Sequence, residues 1–134
     1  MNETPEPNWI NKDMALYIQL ETLRDKGGAS GIRNEGLLES ALARPQNHYA
    51  YGESDIFKLA ATYAEGLARN HAFVDGNKRT AYIVAGLFLY ENGHELNIEK
   101  KREQIELFEN LAQGKVSREE LAEFYRQNTQ EKGR

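Results

Sequence analysis

The sequence predicts an all-α bundle of about six helices in a single domain. Three observations lead there. Apolar residues recur at helical spacing in successive segments. Strand-like alternation is weak everywhere except residues 46–53 and 94–98. The 134 residues, 40% hydrophobic and 28% charged, suit one core spanning residues 1–134, without long disorder or a fibrous repeat.

After a Pro-containing lead-in that carries Trp9, the stretch Asn11 to Lys26 places Met14, Ile18 and Leu20 to Leu23 near helical spacing and stops at Gly27-Gly28. Asn34 is an N-cap candidate for a second helix with Leu37, Leu38, Ala41 and Leu42 on one face; Pro45 is expected to end it, because the residue before proline disfavours helical geometry. Residues 46–53 lack helical periodicity and read as a loop or small hairpin, with Tyr49 and Tyr51 on one side. Ser54 is placed to cap a third helix running to about Asn70, with Ile56, Leu59, Ala60, Tyr63 and Leu67 as its stripe.

The fourth helix, Asn77 to Glu91, is apolar around its circumference after Thr80 and stops at Gly93, which predicts the buried centre of the bundle, with Tyr82 and Tyr90 in the core alongside Tyr63 of the third helix. A charged amphipathic stretch from Glu99 to Gly114 follows. Ser117 with Glu120 then forms a capping box for a last helix containing Leu121, Phe124 and Tyr125, and residues 129–134 read as a frayed tail.

Composition excludes several functions. With no cysteine there are no disulfides, thiolate metal sites or cysteine nucleophiles. The 17 basic and 21 acidic side chains give a net charge of −4, which argues against broad electrostatic capture of nucleic acid. The longest nearly unbroken apolar run, Ala81 to Tyr90, is far short of the ~20 residues of a membrane-spanning helix, and Asn2 to Pro7 carries no signal-like pattern, so a cytoplasmic location without membrane contact is expected.

The chemistry concentrates in residues 70–80, Asn-His-Ala-Phe-Val-Asp-Gly-Asn-Lys-Arg-Thr, which lead into the fourth helix. A helix N-terminus exposes unpaired N–H groups and about half a positive charge, so Lys78 and Arg79 there add like charge and call for an anion. Gly76 permits a tight or left-handed turn, making Gly76-Asn77-Lys78 a phosphate nest capped by the Lys78 and Arg79 side chains. Asp75 beside such phosphates suits Mg²⁺, and His71 can accept a proton near neutral pH, a combination for attack by a hydroxyl on a nucleotide phosphate. Spacing alone is met equally by an ordinary polar turn in which His71 caps the loop and Lys78 and Arg79 are solvated.

The run His71-x-Phe73-x-Asp75-Gly76-Asn77-Lys78-Arg79 resembles the signature of the Fic/Doc superfamily, and Lys78-Arg79-Thr80 is similar to its Doc (death-on-curing) branch. Residues 31–45 and 87–93 extend the resemblance, which covers roughly residues 31–95. It implies a helical Fic-like core with His71 as general base, Asp75 holding Mg²⁺, Asn77, Lys78 and Arg79 on the phosphates of ATP, and Phe73 anchoring the loop. It also implies that residues 46–52 form a flap that aligns a target peptide by strand-like pairing.

Two departures separate the activities of the superfamily. Its AMP-transferring members read Gly-Asn-Gly-Arg-x-x-Arg, where this chain has Lys78 and Tyr82 at the second Gly and second Arg. Positions 79 and 82 share a helix face, and Tyr82 cannot supply a second phosphate clamp. The resemblance then implies a Doc-type toxin that phosphorylates a threonine of elongation factor Tu and arrests translation. A Fic-type protein AMP transferase and a non-catalytic module that pairs with an antitoxin or helps it repress transcription are the alternatives. The superfamily's inhibitory Ser/Thr-x-x-x-Glu motif is not matched: Ser30 to Glu35 is one residue too long and Thr62 to Glu65 one too short, which implies restraint by an antitoxin in trans.

Among the other candidates, His48 and His94 lack a second ligand at metal spacing, and Arg33, Arg44 and Arg69 read as solvated or structural, with Arg69 nearest the motif. Lys100-Lys101-Arg102 precedes Glu103, Glu106 and Glu109 at helix-pairing distances and reads as a solvated face.

Overall fold

The computed structural model describes residues 5–132. The elements are α1 (Lys12–Lys26), α2 (Glu35–Ala50), α3 (Ile56–Arg69), α4 (Asn77–Glu91), β1 (His94–Leu96), a 3-10 turn (Ile98–Lys100), α5 (Lys101–Ala112), α6 (Arg118–Asn128) and β2 (Thr129–Glu131). The bundle is all-α apart from the β1–β2 pair, as the sequence predicts.

Local signals set most boundaries. The Asn11 and Asn34 side chains accept from the N–H groups of Met14 and Leu37, and the Ser117–Glu120 capping box is complete. The third helix is capped one residue later than expected, by Asp55, whose carboxylate accepts from Phe57 and Lys58; an ionised oxygen is a stronger acceptor than the Ser54 hydroxyl.

Helix α2 passes through Pro45 to Ala50, so residues 46–50 are neither loop nor hairpin. A proline inside a helix costs about 3 kcal/mol. Packing beyond it holds the last turn: the Tyr49 ring meets Trp9 edge-on at 5.6 Å, and Arg118 lies 3.3 Å from the His48 ring nitrogens. Tyr51 projects into solvent beyond the helix end, while Tyr49 packs inward, so the two do not share the face of an extended flap.

A central buried helix exists, but it is α3 and not α4. Nine of its residues are buried, and α2, α4, α5 and α6 all pack on it. Its small residues permit this crowding; a Cβ on Gly66 would lie 3.2 Å from Ala41 Cβ of α2. Helix α4 buries Thr80, Ala81, Val84, Ala85, Phe88 and Leu89 but leaves Ile83 and Tyr90 exposed and Tyr82 half-buried, so only Tyr63 of the three expected core tyrosines is fully enclosed. The Tyr63 hydroxyl accepts from Ile10 N–H at 2.9 Å, and burial pushes its pKa up to about 12.

Residues 129–131 are not frayed. They pair antiparallel with β1, in the register His94↔Glu131, Glu95↔Gln130 and Leu96↔Thr129, and Lys132 N–H donates to Gly93 O. Backbone pairing supplies the order that their polar composition conceals. The end of the expected frayed tail, residues 133–134, lies outside the described residues.

Candidate active site

The loop between α3 and α4 is fixed from several directions. Arg33 and Asn34 N–H donate to Ala72 O at 2.7 and 3.0 Å, Val74 N–H donates to Gly31 O at 3.1 Å, and Ile32 and Phe73 form an antiparallel bridge. Phe73 is buried, and its N–H and C=O are both bonded to the Asn77 side chain at 3.0 Å. This bracing holds His71 at φ +52°, a left-handed conformation uncommon outside glycine. The His71 carbonyl accepts from Arg33 Nε at 2.7 Å, while its ring is exposed and makes no hydrogen bond among the described residues.

At the start of α4, Gly76 adopts the left-handed conformation (φ 79°, ψ 19°) and no side chain caps the helix. Thr80 N–H makes the first helical bond, to Gly76 O at 2.9 Å, which leaves the preceding N–H groups of the turn without an intrahelical acceptor. The Lys78 ammonium is 2.9 Å from a carboxylate oxygen of Glu109 on α5, and Arg79 is exposed.

This helix end opens on a cleft of about 600 Å³ between the end of α1, α4 and α5. Tyr82, Ile83 and Phe108 supply apolar walls, with the Tyr82 and Phe108 rings edge-to-face at 5.5 Å; Lys26, Lys101 and Arg79 supply positive charge. Burial raises the Tyr82 pKa, so its hydroxyl stays neutral at physiological pH.

Of the residues singled out in the sequence, Gly76, Asn77, Lys78 and Arg79 line this cleft together. His71 and Asp75 stand on the loop leading into it and are not part of its lining. The Asn77 side chain is engaged by Phe73, so its own offering to an anion is its main-chain N–H. Asp75 Oδ2 accepts from Ala29 N–H at 2.7 Å, and Asp75 O accepts from the buried Gln19 side chain at 3.0 Å. Gln19, Ala29, Arg33 and Glu109 were not singled out as site residues by sequence reasoning, because only tertiary packing brings them to the motif. A polar side chain on the inward face of α1 was the one available signal, at Gln19.

Arg69 is structural: it donates to Leu111 O and Val116 O and pairs with Glu65 at 3.0 Å. His94 packs against Phe57, and no group of three His, Cys, Asp or Glu among the described residues could hold a metal ion by itself.

The sequence model of the Fic/DOC family matches residues 9–89, from Trp9 to Leu89 in the last turn of α4. The chain belongs to the Fic/DOC family. It is 37% identical over 118 residues to the Protein kinase doc of Escherichia phage P1, covering 87% of this chain and 92% of that protein. It is also 49% identical over 73 residues to the Toxin Doc of Mycolicibacterium smegmatis, where the match spans 52% of this chain and about half, 55%, of the relative. The Fic/DOC match takes in the whole braced loop and its partners on α1 and residues 31–34, but stops short of α5 and therefore of Glu109. No helix among the described residues is long and apolar enough to cross a membrane.

Proposed function

We propose that this chain is the toxin of a toxin–antitoxin pair, a cytoplasmic ATP-dependent protein kinase that phosphorylates a threonine of elongation factor Tu and so arrests translation. The observation that carries the reading is the uncapped start of α4, opened by left-handed Gly76 and flanked by Lys78 and Arg79, with Tyr82 standing where a second phosphate-clamping arginine would be. The relative named as a protein kinase, matched along 92% of its length, supports it.

In this reading the N–H groups of Asn77, Lys78 and Arg79 and the two cationic side chains bind the ATP phosphates. The His71 imidazole takes the proton of the target hydroxyl, whose oxygen bonds to the γ-phosphorus as the bond to ADP breaks and ADP leaves with its electron pair. Asp75 suits Mg²⁺, because one carboxylate oxygen, Oδ1, is without a protein hydrogen bond among the described residues and this cation commonly takes one or two carboxylates plus phosphate oxygens and water. Bound there, Mg²⁺ would neutralise phosphate charge. An antitoxin protein is the expected restraining partner.

The test is a paired labelling assay with purified chain, elongation factor Tu and Mg²⁺. Label from the γ-position should reach a threonine of the factor, none should come from the α-position, and His71→Ala should abolish transfer. Transfer from α-labelled ATP alone would make the protein an AMP transferase. No transfer at all, with turnover insensitive to Asp75→Ala, would leave it a binding module.

A further inference from the structure

Gln19 sits in the middle of α1 and is almost wholly buried, at 1% exposure. A buried amide must find partners for its dipole, and this one bridges two loops that meet at the motif. Its Nε2 donates to Asp75 O at 3.0 Å, and its Oε1 faces Gly31 N–H at 3.5 Å. One turn on, the Thr22 hydroxyl donates back to Gln19 O at 2.8 Å.

The turn after α1 grips the same aspartate from the other side. Ala29 N–H donates to Asp75 Oδ2 at 2.7 Å, short enough for a charge-assisted bond. Gly28 (φ +117°) lies so close that an added Cβ would be 3.2 Å from Asp75 Cβ and 3.0 Å from Leu23 Cδ2. Main chain and carboxylate of Asp75 are therefore held by different groups of one segment, and Oδ1 is the oxygen left over.

We infer that Gln19 and the Gly28–Ala29 turn are positioning elements for Asp75, fixing its carboxylate so that one oxygen is presented to the cation that accompanies a nucleoside phosphate. The inference rests on the reading of Asp75 as the cation ligand. It assigns to Gln19, far from the motif in sequence, control over cation dependence rather than over phosphate recognition, because Gly76, Asn77, Lys78 and Arg79 have no hydrogen bond to Gln19.

The experiment is calorimetric titration of the full chain with ATP, with Mg²⁺ and with EDTA. Gln19→Met conserves volume and removes both hydrogen bonds. Loss of an outer partner of a metal ligand typically weakens metal affinity ~10-fold or more, so this variant should lose about that factor in Mg²⁺-dependent ATP affinity while its affinity in EDTA stays at the wild-type value. Gly28→Ala, which leaves the buried amide in place, carries the same expectation should Gln19→Met fail to fold. In amide NMR spectra, the Ala29 N–H signal should shift in Asp75→Asn, as expected when its acceptor loses charge. Unchanged Mg²⁺ dependence in both variants, or equal loss with Mg²⁺ and with EDTA, overturns the positioning role. Wild-type Mg²⁺ dependence in Asp75→Asn overturns the cation-ligand reading itself and the inference with it.

Discussion

Replacing Glu109 by Gln should tighten nucleotide binding. The Glu109 carboxylate holds Lys78 at 2.9 Å, with both side chains about half exposed. An exposed pair of this kind contributes about 0.5 kcal/mol, which a phosphate must replace on taking over Lys78. The carboxylate also repels the incoming anion: two unit charges ~5 Å apart in water interact by ~0.8 kcal/mol, and a doubly charged phosphate after salt screening by about the same amount. The sum, about 1.3 kcal/mol, corresponds to nearly tenfold in affinity. Calorimetry with ATP should show that gain for Glu109→Gln at about 0.1 M salt and most of it lost at about 1 M, where the Debye length falls to ~3 Å. In a Lys78→Gln background the gain should shrink, since one partner of the pair is already gone. Wild-type affinity for Glu109→Gln at low salt, or a gain indifferent to salt, would refute this competition between Glu109 and phosphate for Lys78.

Phe73→Ala should destabilise the protein by about 3–5 kcal/mol in urea unfolding, because it removes a buried ring and frees the loop that depends on it. Gly66→Ala should be destabilising despite alanine's better helix propensity, since the new methyl meets Ala41 at 3.2 Å; a net loss of about 1 kcal/mol is expected from thermal melts. Burial opposes the charge of Asp55, yet Arg126 at 2.7 Å and the N–H groups of Phe57 and Lys58 outweigh it and hold the pKa below the usual value. A lowered folded-state pKa contributes stability that is fully present above the unfolded pKa of about 4 and is lost as pH falls through the folded value. Asp55→Asn should therefore flatten the acid side of the stability profile, measured by chemical denaturation at a series of pH values.

How far the sequence disclosed this molecule depends on the range of the interactions involved. Asn11, Asn34, the Ser117–Glu120 box and Gly93 act within a turn of themselves, and the helix ends they mark lie where expected. Pro45 misled because its local cost is outweighed by Trp9 and Arg118, which are remote in the chain. Polar composition misled at residues 129–131 for the same reason, their order coming from pairing with β1. All-round apolarity pointed to α4 as the centre, whereas small side chains decide which helix can accept neighbours on every side, and α3 has them. In the site, the motif loop was legible because its residues are contiguous; the groups that aim it, Gln19, Ala29 and Arg33, were not.

The foot of α4 is where the two ends of the described chain meet. Asn8 exchanges hydrogen bonds with the Asn92 side chain, and Lys132 bonds to Gly93 and lies over the Tyr90 ring. Fifteen residues of helix separate this clasp from Gly76, roughly 22 Å at 1.5 Å per residue. A short peptide joining residues 8 and 132 would thus close the chain into a ring at the pole opposite the cleft. New ends could then be cut at exposed Gly52, giving a permuted chain whose cleft at the start of α4 is untouched.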